Sequence, residues 1–342
     1  MNDDQLAETL PRPIINTTHL GNPIDLSIIY VNWNSATLIE DSIASLISSG
    51  TTCNYEIIIS DNASNEPEQE QLRSLVKQYT NSRCIFNQRN DGFGVGNNLA
   101  LPLARGRYIL FLNNDTIILE SLDDLVNEAH KMEDSCGAIA GKVLNVDRSI
   151  QLTCRMNYTL PVIIASFTFA ILGKRPSWVR KQELEDWDHA SIRDVAMLSG
   201  CYLLVPRIVL DTVGAFDSKI FLFYEDADLC YRIRAAGYLV RYVPFSTIIH
   251  LEGGSRDPNK HASALSLGSS FASAQYFTRL HLGIWQAWVL ATTVRLWWMS
   301  LWVVQSLASV IIPIPRIRLT LRRRTQLLGQ LLSDIPLRRI PD

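Results

Sequence analysis

The sequence predicts an α/β fold with a mostly parallel central sheet covered by helices, followed by an apolar helical extension. Continuous apolar runs that end abruptly in polar residues alternate with segments of helical periodicity. A length of 342 residues with 47% apolar and 19% charged residues is typical of a globular chain with a large core. From His261 onwards the composition becomes apolar and rich in tryptophan, so we place a boundary near Asp257.

The first half repeats a unit of one buried strand and one helix. The predicted strands are "LSIIYVNWN" (26–34), "YEIIISDNAS" (55–64), "RCIFNQRNDGFG" (83–94) and "RYILFLNND" (107–115). The first helix has an apolar face made by Leu38, Ile39, Ser42, Ile43, Leu46 and Ile47. A charged helix is predicted over 66–79, and "NNLALPLARG" (97–106) is predicted as a helix with Pro102 in its first turns.

Polar residues end three of these strands. They are Asn32 to Asn34, then Asp61 with Asn62, then Asn113 to Asp115. In parallel sheets covered on both faces, ligands bind at the carboxyl ends of the strands. We therefore expect the three clusters to meet at one edge of the sheet.

The second half predicts further elements around a second polar cluster. A helix is predicted over 121–132, and strands are predicted for "GAIAGKVL" (137–144), "MLSGCYLLVP" (197–206) and the segment from Tyr238 to His250. "EDADLCYRIRAAGY" (225–238) has helical spacing, with Gly237 as its C-cap. The apolar run "LPVIIASFTFAIL" (160–172) is too short to span a bilayer.

Charge and cysteine usage exclude some classes of protein. A formal net charge of −2 excludes a generally basic nucleic-acid binder. The six cysteines form no C-x-x-C pair, which indicates reduced thiols in a cytosolic compartment rather than a zinc site or a disulfide framework. Residues 1–25 are polar and acidic at their start, unlike a signal peptide, and are predicted to be a flexible lead-in.

Four features have a structural and a functional interpretation. Asp115 could cap a turn or bind Mg²⁺ or Mn²⁺. The glycines of "NDGFGVGNN" (90–98) do not match G-x-G-x-x-G, so they form either a tight loop or a close approach to a ligand. Glu225, Asp226 and Asp228 could stabilise a helix N-terminus or supply a general base. His250 could be structural or a ligand.

Taken together, these motifs resemble the inverting glycosyltransferases of family 2. "VNWN", "DNAS", "NDGFGVGNN", "LNND", "GAFD", "YEDADLCYRIRAAGY" and a histidine followed by "GGS" occur in the order and approximate spacing of that family. The "VNWN" and "LNND" motifs are most similar to the bacterial rhamnosyltransferase branch. The resemblance covers about residues 26–256 and implies the GT-A fold, in which a nucleotide-binding half (26–135) and an acceptor half (136–257) form one catalytic domain.

The resemblance also implies roles for individual residues. Asp115, with His250, would bind a divalent cation, Mg²⁺ or Mn²⁺, although Asn113 stands where many relatives have aspartate. Asp226 would be the general base, positioned by Glu225, and Gly200 would lie near the acceptor. The residues implied in nucleotide-sugar binding are Asn32, Asp61, Asn90, Gly92, Asn97, Asn98 and Asn114.

The C-terminal region, 258–342, is predicted to associate with a membrane. Five of the eight tryptophans lie between Trp285 and Trp302, and seven arginines follow from Arg316 onwards against two aspartates. An interfacial helix with a basic tail fits this pattern, while a transmembrane span starting at Leu296 and a soluble helical pair remain alternatives. We expect a peripheral protein on the cytoplasmic face of the cell membrane.

The sequence therefore predicts a metal-dependent inverting glycosyltransferase that builds bacterial surface polysaccharide. The expected donor is dTDP-L-rhamnose, with a UDP-sugar as the alternative, and the expected acceptor is a glycan or a polyprenyl-diphosphate-linked glycan. No nucleic acid partner is expected. Two rival functions are a non-catalytic nucleotide-sugar-binding protein and a nucleotide-dependent oxidoreductase, for which the glycine spacing is wrong.

Overall fold

A computed structural model describes residues 14–15, 23–169, 175–251, 264–311 and 328–329. Several predictions concern residues outside these ranges. They are most of the flexible lead-in, the boundary near Asp257, the "GGS" at 253–255 and the basic tail from Arg316. Ile14 and Ile15, within the predicted lead-in, form a short strand.

The chain forms two compact units. The first comprises Met1–Arg155, Trp187–Ser218 and Glu225–Gly254. The second comprises Met156–Asp186, Lys219–Tyr224 and Ser255–Asp342. Two segments that the sequence placed in the catalytic domain, 156–186 and 219–224, thus group with the C-terminal helices. The division into a catalytic domain and a membrane-associating region stays a prediction.

The first unit contains a nine-stranded sheet and two smaller sheets. Its strands, in chain order, are β1 (Ile14–Ile15), β2 (Leu26–Asn32), β3 (Tyr55–Asp61), β4 (Ser82–Phe86), β5 (Tyr108–Leu112), β6 (Thr116–Ile118), β7 (Cys136–Ala140), β8 (Val143–Leu144), β9 (Cys154–Arg155), β10 (Arg193–Asp194), β11 (Met197–Leu198), β12 (Tyr202–Pro206), β13 (Leu239–Tyr242) and β14 (Ile248–His250).

The large sheet has the order β1-β4-β3-β2-β5-β12-β7-β13-β10. Strands β4, β3, β2, β5, β7 and β13 share one direction, and β1, β12 and β10 run the other way. The sheet is therefore mostly parallel, as predicted, with an antiparallel strand at its centre. Because β12 is antiparallel to β5, its first residue, Tyr202, lies beside the last residue of β5, Leu112.

Helices cover this sheet because each has one buried apolar face. They are α1 (Ala36–Ser48), α2 (Glu66–Gln78), α3 (Phe93–Ala100) and α4 (Asp123–Met132). The apolar face of α1 is narrower than predicted, because Ile47 is half exposed while Ile39, Ile43 and Leu46 are fully buried. Asn65 caps α2 by accepting a hydrogen bond from the Glu68 N–H.

The helix predicted over 97–106 is displaced in the structure. Helix α3 begins at Phe93 and ends at Ala100, and Pro102 lies in a 3₁₀ turn, Leu101–Leu103. Proline lacks an N–H to continue the α-helical hydrogen bonds, which explains why the regular helix ends before it.

Three segments predicted as single strands are each divided between two sheets. The segments 137–144, 197–206 and 238–250 yield β7 with β8, β11 with β12, and β13 with β14. Strands β6, β14 and β8 form a separate three-stranded sheet, and β9 pairs with β11. This second sheet places His250, at the end of β14, beside Thr116 of β6.

The remaining helices complete the two units. They are α5 (Leu160–Phe169), α6 (Ser177–Gln182), α7 (Arg207–Val213), α8 (Glu225–Ala235), α9 (Ala264–His281) and α10 (Ile284–Ile311). Helices α7 and α8 belong to the first unit and the other four to the second. Gly237 follows α8 with φ +93, so the predicted C-cap is confirmed.

Within the second unit, aromatic side chains join α5, α9 and α10. Trp298 is fully buried, donates its Nε1–H to the Phe167 carbonyl over 3.3 Å and packs against Phe271 at a ring distance of 5.1 Å. Four residues of the apolar run in α5 are buried: Val162, Ile163, Ala165 and Phe167. The run is therefore part of a helical core.

Candidate functional site

The carboxyl ends of β2 and β3 carry a buried polar network. Asn32 donates its Nδ2–H to Asp61 Oδ1 over 2.9 Å and to Ser64 Oγ over 3.1 Å. The carboxylate of Asp61 is fully buried and also accepts from the Ser64 N–H, the Ser64 hydroxyl and Gln69. Asn34 donates its backbone N–H to Ser64 Oγ over 2.7 Å. Asp61 therefore holds the two strand-end loops in one shape.

Asn62 organises the glycine-rich loop before α3. Its Nδ2 group donates to Asn90 Oδ1 over 3.3 Å and to the Gly92 carbonyl over 3.0 Å, and its Oδ1 accepts from Asn87 over 2.9 Å. A Cβ atom at Gly96 would lie 3.0 Å from Asn62 Oδ1, so only glycine lets α3 approach this closely. The predicted residues Asn90 and Gly92 are thus fixed by a residue, Asn62, that had no assigned role.

Asn97 and Asn98 face different surroundings. Asn97 is fully buried, and its Oδ1 has no hydrogen-bond partner within the described part of the chain. Asn98 accepts from the Phe216 N–H over 3.1 Å and donates to the Phe216 carbonyl over 2.7 Å. Arg232 in turn donates to the carbonyls of Val213, Gly214 and Ala215. The amide of Asn98 therefore joins α3 to the segment that precedes α8, and its contact with a nucleotide stays a prediction.

The end of β5 connects this network to a carboxylate–imidazole pair. Asn114 donates to Asn32 Oδ1 over 3.4 Å, so all three predicted strand-end clusters meet at one edge. Next to it, Asp115 Oδ1 lies 3.2 Å from His250 Nε2, and both side chains are mostly buried. Asn113 Nδ2 lies 3.0 Å from the same nitrogen of His250.

The geometry of Asp115 and His250 fits a shared divalent cation. Mg²⁺ or Mn²⁺ with ligands at about 2.1 Å on adjacent corners of an octahedron would place two donor atoms about 3.0 Å apart. The observed separation of 3.2 Å agrees with this value. Among the described residues no group of three or more His, Cys, Asp or Glu side chains forms a metal site. Two protein ligands suit a cation that completes its shell with substrate phosphates and water.

A second acidic pair lies at the N-terminus of α8. Asp226 Oδ2 accepts the Gly200 N–H over 3.0 Å, and its Oδ1 accepts the Ala227 N–H over 2.7 Å. Burial raises the pKa of Asp226, and these two N–H groups and the charge of Arg155 oppose the rise. The predicted residues Gly200 and Asp226 are therefore in direct contact, and the carboxylate has a fixed orientation.

The carboxyl group of Glu225 is buried, but only part of it is hydrogen-bonded within the described residues. Its Oε2 atom has no hydrogen-bond partner among the residues that the structure describes. Burial, reinforced by the charge of Asp226, raises the pKa of Glu225 to about 8. A carboxyl group with such a pKa carries a proton at neutral pH, so Glu225 can donate a hydrogen bond while Asp226 accepts a proton.

Both acidic groups act on the thiol of Cys201. Burial raises the pKa of its thiol to about 12, and the charges of both Asp226 and Asp115 add to the rise. The Cys201 carbonyl accepts the Asn113 N–H over 2.9 Å, which joins β5 to the start of β12. Because the Gly200 N–H also binds Asp226, residues 200–201 connect the candidate base to the strand end that carries the candidate cation site.

Sequence reasoning missed the residues that hold this edge together. Ser64, Asn87 and Gln151 each bond a predicted site residue or its neighbour. Only Ser64 had a local signal, because a serine three positions after a strand-end aspartate is typical of a side-chain-stabilised turn. The contacts of Asn87 and Gln151 span 25 and 99 positions, and no local pattern indicates them.

Comparison with known proteins agrees with the earlier resemblance. Residues 27–175 match the family model described as "Glycosyl transferase family 2". The chain is 27% identical over 282 residues to the N-acetylglucosaminyl-diphospho-decaprenol L-rhamnosyltransferase of Mycobacterium tuberculosis, covering 77% of this chain and 87% of that protein. It is 28% identical over 203 residues to the rhamnosyltransferase WbbL of Escherichia coli, covering 57% of this chain and 72% of WbbL.

Solved structures share the fold at low sequence identity. The mannosyltransferase PcManGT from Pyrobaculum calidifontis, solved with GDP-Man and Mn²⁺, has a TM-score of 0.55 at 15% identity, covering 94% of this chain and 90% of that one. GalNAc-T7, solved with UDP, GalNAc and Mn²⁺, also has a TM-score of 0.55, covering 75% of this chain and 51% of that one. The predicted GT-A fold is confirmed. The strand-end motifs, the fold and the relatives together support a family-2 glycosyltransferase that is similar to the rhamnosyltransferase branch.

Proposed function

We propose that the protein is an inverting, cation-dependent rhamnosyltransferase that moves L-rhamnose from dTDP-L-rhamnose to a glycan or polyprenyl-diphosphate-linked glycan in surface polysaccharide synthesis. The observation that carries the proposal is the arrangement around Cys201. The charges of Asp226, whose own pKa is raised, and of Asp115, which pairs with His250, both act on the Cys201 thiol. The relatives named as rhamnosyltransferases support the choice of sugar.

In this proposal Asp226 is the general base of a single displacement. The acceptor hydroxyl oxygen forms a bond to the anomeric carbon while the bond from that carbon to the nucleoside diphosphate breaks. The hydroxyl proton passes to the Asp226 carboxylate, and the diphosphate leaves with the bonding electron pair. Raised by burial, the pKa of Asp226 makes its carboxylate a stronger base than an exposed aspartate. The protonated Glu225 would donate a hydrogen bond within the same site.

Asp115 and His250 would hold the divalent cation. When bound, such a cation neutralises charge on the departing diphosphate. Asn32, Asn114 and the loop of Asn90 and Gly92 would bind the nucleotide and its ribose, with Asp61 fixing the shape of these loops. Asn97 Oδ1, buried and without a described partner, would accept a hydrogen bond when this loop closes on the donor. A UDP-sugar is the alternative donor for the same residues.

Thermal melting with ligands tests the donor and the cation together. The ligands are dTDP-L-rhamnose, UDP-glucose, UDP-GlcNAc and NADH, each with and without Mn²⁺. We expect dTDP-L-rhamnose to raise the Tm most, and only with Mn²⁺, because a ligand stabilises the state that binds it. Asp115→Ala should lose the Mn²⁺-dependent part of the shift. An increase in Tm with NADH alone would contradict the proposal. A larger increase with a UDP-sugar than with dTDP-L-rhamnose would identify the UDP-sugar as the donor.

Turnover separates an enzyme from a nucleotide-sugar-binding protein. Release of dTDP should require both Mn²⁺ and a polyprenyl-diphosphate-linked acceptor, and the new glycosidic bond should have the anomeric configuration opposite to that of the donor. Donor binding without dTDP release across a panel of lipid-linked acceptors would favour the non-catalytic alternative. Retention of the donor configuration would contradict the single displacement.

We also propose that α10 binds the cytoplasmic face of the cell membrane as a peripheral element. The helix is 28 residues long, with Arg295 as its one charged residue. Its buried face includes Leu290 and Val294, yet its other face is also apolar: Trp285 is 77% exposed and Trp288 62% exposed. Its segment 284–309 contains an 18-residue window with a mean hydropathy of 1.3 and is long enough to span a bilayer. A partly exposed helix with apolar residues on all sides is more typical of a membrane-bound helix than of a helical pair in a soluble protein.

Vesicle flotation tests this membrane contact. We expect the protein to float with anionic vesicles, and Trp285→Ser with Trp288→Ser to weaken flotation. Trp178→Ser is the matched control, because Trp178 is also exposed, at 46%, but lies on α6. Release by high salt or carbonate indicates a peripheral helix, and release only by detergent indicates a span. Equal flotation of the double variant and the wild type would contradict a role for this face.

A further inference from the structure

His250 is held on both sides of its imidazole ring. Its Nδ1 lies 2.7 Å from Gln151 Oε1. Its Nε2 lies 3.0 Å from Asn113 Nδ2 and 3.2 Å from Asp115 Oδ1. A neutral imidazole carries its proton on one nitrogen and a lone pair on the other, and its neighbours decide which.

The orientation of Gln151 follows from a chain of hydrogen bonds that begins at a backbone carbonyl. Asn145 Nδ2 lies 3.4 Å from the Ile150 carbonyl, which can only accept, and 2.9 Å from Ser149 Oγ. The Oδ1 atom of Asn145 therefore points the other way and accepts from Gln151 Nε2 over 3.0 Å. The amide oxygen of Gln151 is then the atom that faces His250, and it can only accept.

The backbone holds Gln151 in this place. A tight turn over 145–149 follows β8, with the Asn145 N–H bonded to the Ser149 carbonyl and the Gln151 N–H bonded to the Val143 carbonyl, each over 2.9 Å. Strand β14, which ends at His250, is parallel to β8. Gln151 and His250 are thus carried by neighbouring segments of one small sheet.

We propose that Gln151 is a positioning residue, which fixes His250 with its proton on Nδ1 and presents the Nε2 lone pair beside Asp115 to a divalent cation. The inference rests on the proposed function, because it assigns His250 to the cation. The Asn113 amide agrees with it, since its N–H group needs a lone pair on Nε2 as acceptor. Histidine ligands of metals are commonly oriented by such a hydrogen bond from the ring nitrogen that does not bind the metal.

The competing arrangement is a doubly protonated imidazolium paired with Asp115. In that form an N–H group of Asn113 would face an N–H group of His250 over 3.0 Å, which is unfavourable. In the arrangement that we propose, Nε2 and the Asp115 carboxylate both present lone pairs over 3.2 Å, and a cation between them removes their repulsion.

The first test measures the tautomer without any metal. Long-range ¹H–¹⁵N correlation spectra of ¹⁵N-histidine-labelled protein, at about pH 8.5 where an ordinary histidine is neutral, report which nitrogen carries the proton. The chain has six histidines, and His250→Gln identifies the His250 signals by their loss. We expect the Nδ1–H form in the wild type and a shift towards the Nε2–H form in Gln151→Leu. An Nε2–H or imidazolium form in the wild type would overturn the inference.

The second test measures Mn²⁺ affinity in the presence of dTDP, from the electron paramagnetic resonance signal of free Mn²⁺. Gln151→Leu should weaken Mn²⁺ binding about 10–100-fold, which is the usual effect of removing the hydrogen-bond acceptor of a metal-binding histidine. Gln151→Glu keeps an acceptor for the Nδ1–H group and should restore both the tautomer and the affinity. Asp147→Ala removes the two hydrogen bonds that Asp147 accepts from Ser149 in the same turn. It keeps the hydrogen-bond chain from Asn145 through Gln151 to His250, so it should leave both unchanged.

The outcomes separate the two proposals. If Asp115→Asn and His250→Gln weaken Mn²⁺ binding and Gln151→Leu does not, the cation site stands and the inference about Gln151 is overturned. If none of the three variants, nor the wild type, shows dTDP-dependent Mn²⁺ binding, the cation part of the proposed function fails. A loss of affinity in Asp147→Ala equal to that in Gln151→Leu would also overturn the inference, because it would indicate a general effect of the turn.

Discussion

Carboxyl groups at the two ends of the central strands differ in how completely they are paired with hydrogen-bond donors and positive charges. At the amino end, Glu56 of β3 is 1% exposed and accepts from Ser27, Arg83 and Arg105, including the Arg105 backbone N–H over 2.6 Å. Ser27 in turn accepts the Gly106 N–H over 2.8 Å. Both carboxylate oxygens of Glu56 are therefore bonded to donors, two of which carry positive charge.

At the carboxyl end, Glu225 and Asp226 lie side by side at the start of α8. Asp226 accepts hydrogen bonds from backbone N–H groups, and one oxygen of Glu225 has no hydrogen-bond partner within the described residues. Burial raises the pKa of both groups. A buried acid that is fully paired stabilises a fold, whereas an incompletely paired one keeps the capacity to exchange a proton, which is typical of functional sites.

Asp226→Asn should have the largest effect, on catalysis. Loss of a general base lowers kcat about 10²–10⁴-fold, while the donor dissociation constant should stay close to that of the wild type. The Tm should not fall, because the variant removes a buried charge. Rates of dTDP release, donor titrations and melting curves measure the three quantities. A variant that retains more than about a tenth of the wild-type kcat would exclude Asp226 as the base.

Glu56→Gln should have the opposite effect: it should lower the free energy of unfolding and leave kcat close to that of the wild type. The variant leaves Arg83 and Arg105 without their countercharge. We expect a loss of about 3 kcal/mol, the lower end for a broken buried ion pair, because the Arg105 side chain is 44% exposed. Chemical denaturation and the Tm measure it, with kcat determined on the folded protein.

Glu66→Gln is the matched control for Glu56→Gln. It removes an ion pair with Arg73 in which the Glu66 side chain is 76% exposed, and such pairs contribute about 0–1 kcal/mol. Equal losses of stability in the two variants would contradict the claim that the paired, buried carboxylate stabilises the amino end of the sheet.

Glu225→Gln should make stability less dependent on pH. The pKa of Glu225 is about 8 in the folded protein, against the ordinary glutamate value of 4.5. Between these values the folded state holds a proton that the unfolded state has lost, so the free energy of unfolding of the wild type decreases as the pH rises. The variant has no proton to lose. Its Tm should match that of the wild type near pH 5 and exceed it by several degrees at pH 8, and parallel curves would contradict the raised pKa.

The sequence predicts strands β2, β3 and β5 well because continuous apolar runs in the local sequence record their burial. Strands β2, β3 and β5 are continuous apolar runs, and the polar residues that end them indicate the functional edge. The division of 137–144 between β7 and β8 was not predictable in this way. It occurs at Gly141, where a Cβ atom would lie 2.2 Å from the Ser246 carbonyl oxygen, so a residue more than a hundred positions away determines it.

In the candidate site, too, local patterns predict some residues and long-range contacts determine the rest. Asp115 and Asp226 were candidates from motif and position, and the structure shows the partners of each that are described above. The pKa of about 8 for Glu225 depends on its burial, which no sequence pattern reports, and on the charge of Asp226. Roles of residues such as Asn98, whose partner Phe216 is 118 positions away, also need the structure.

Asn98→Ala tests whether the carboxyl edge contains structural side chains as well as reactive ones, and its expected effect is the smallest. The variant removes both hydrogen bonds to the Phe216 backbone, and Asn98 is partly exposed, so we expect a loss of about 1 kcal/mol. If Asn98 only joins α3 to the Phe216 segment, the donor dissociation constant should change less than about threefold while the Tm falls. Asn98→Asp keeps the acceptor for the Phe216 N–H but places an anionic oxygen near the Phe216 carbonyl, so it should lower the Tm further. A large loss of donor affinity at an unchanged Tm would instead assign Asn98 to the nucleotide, as the family resemblance implies, and would extend the reactive edge of the sheet to α3.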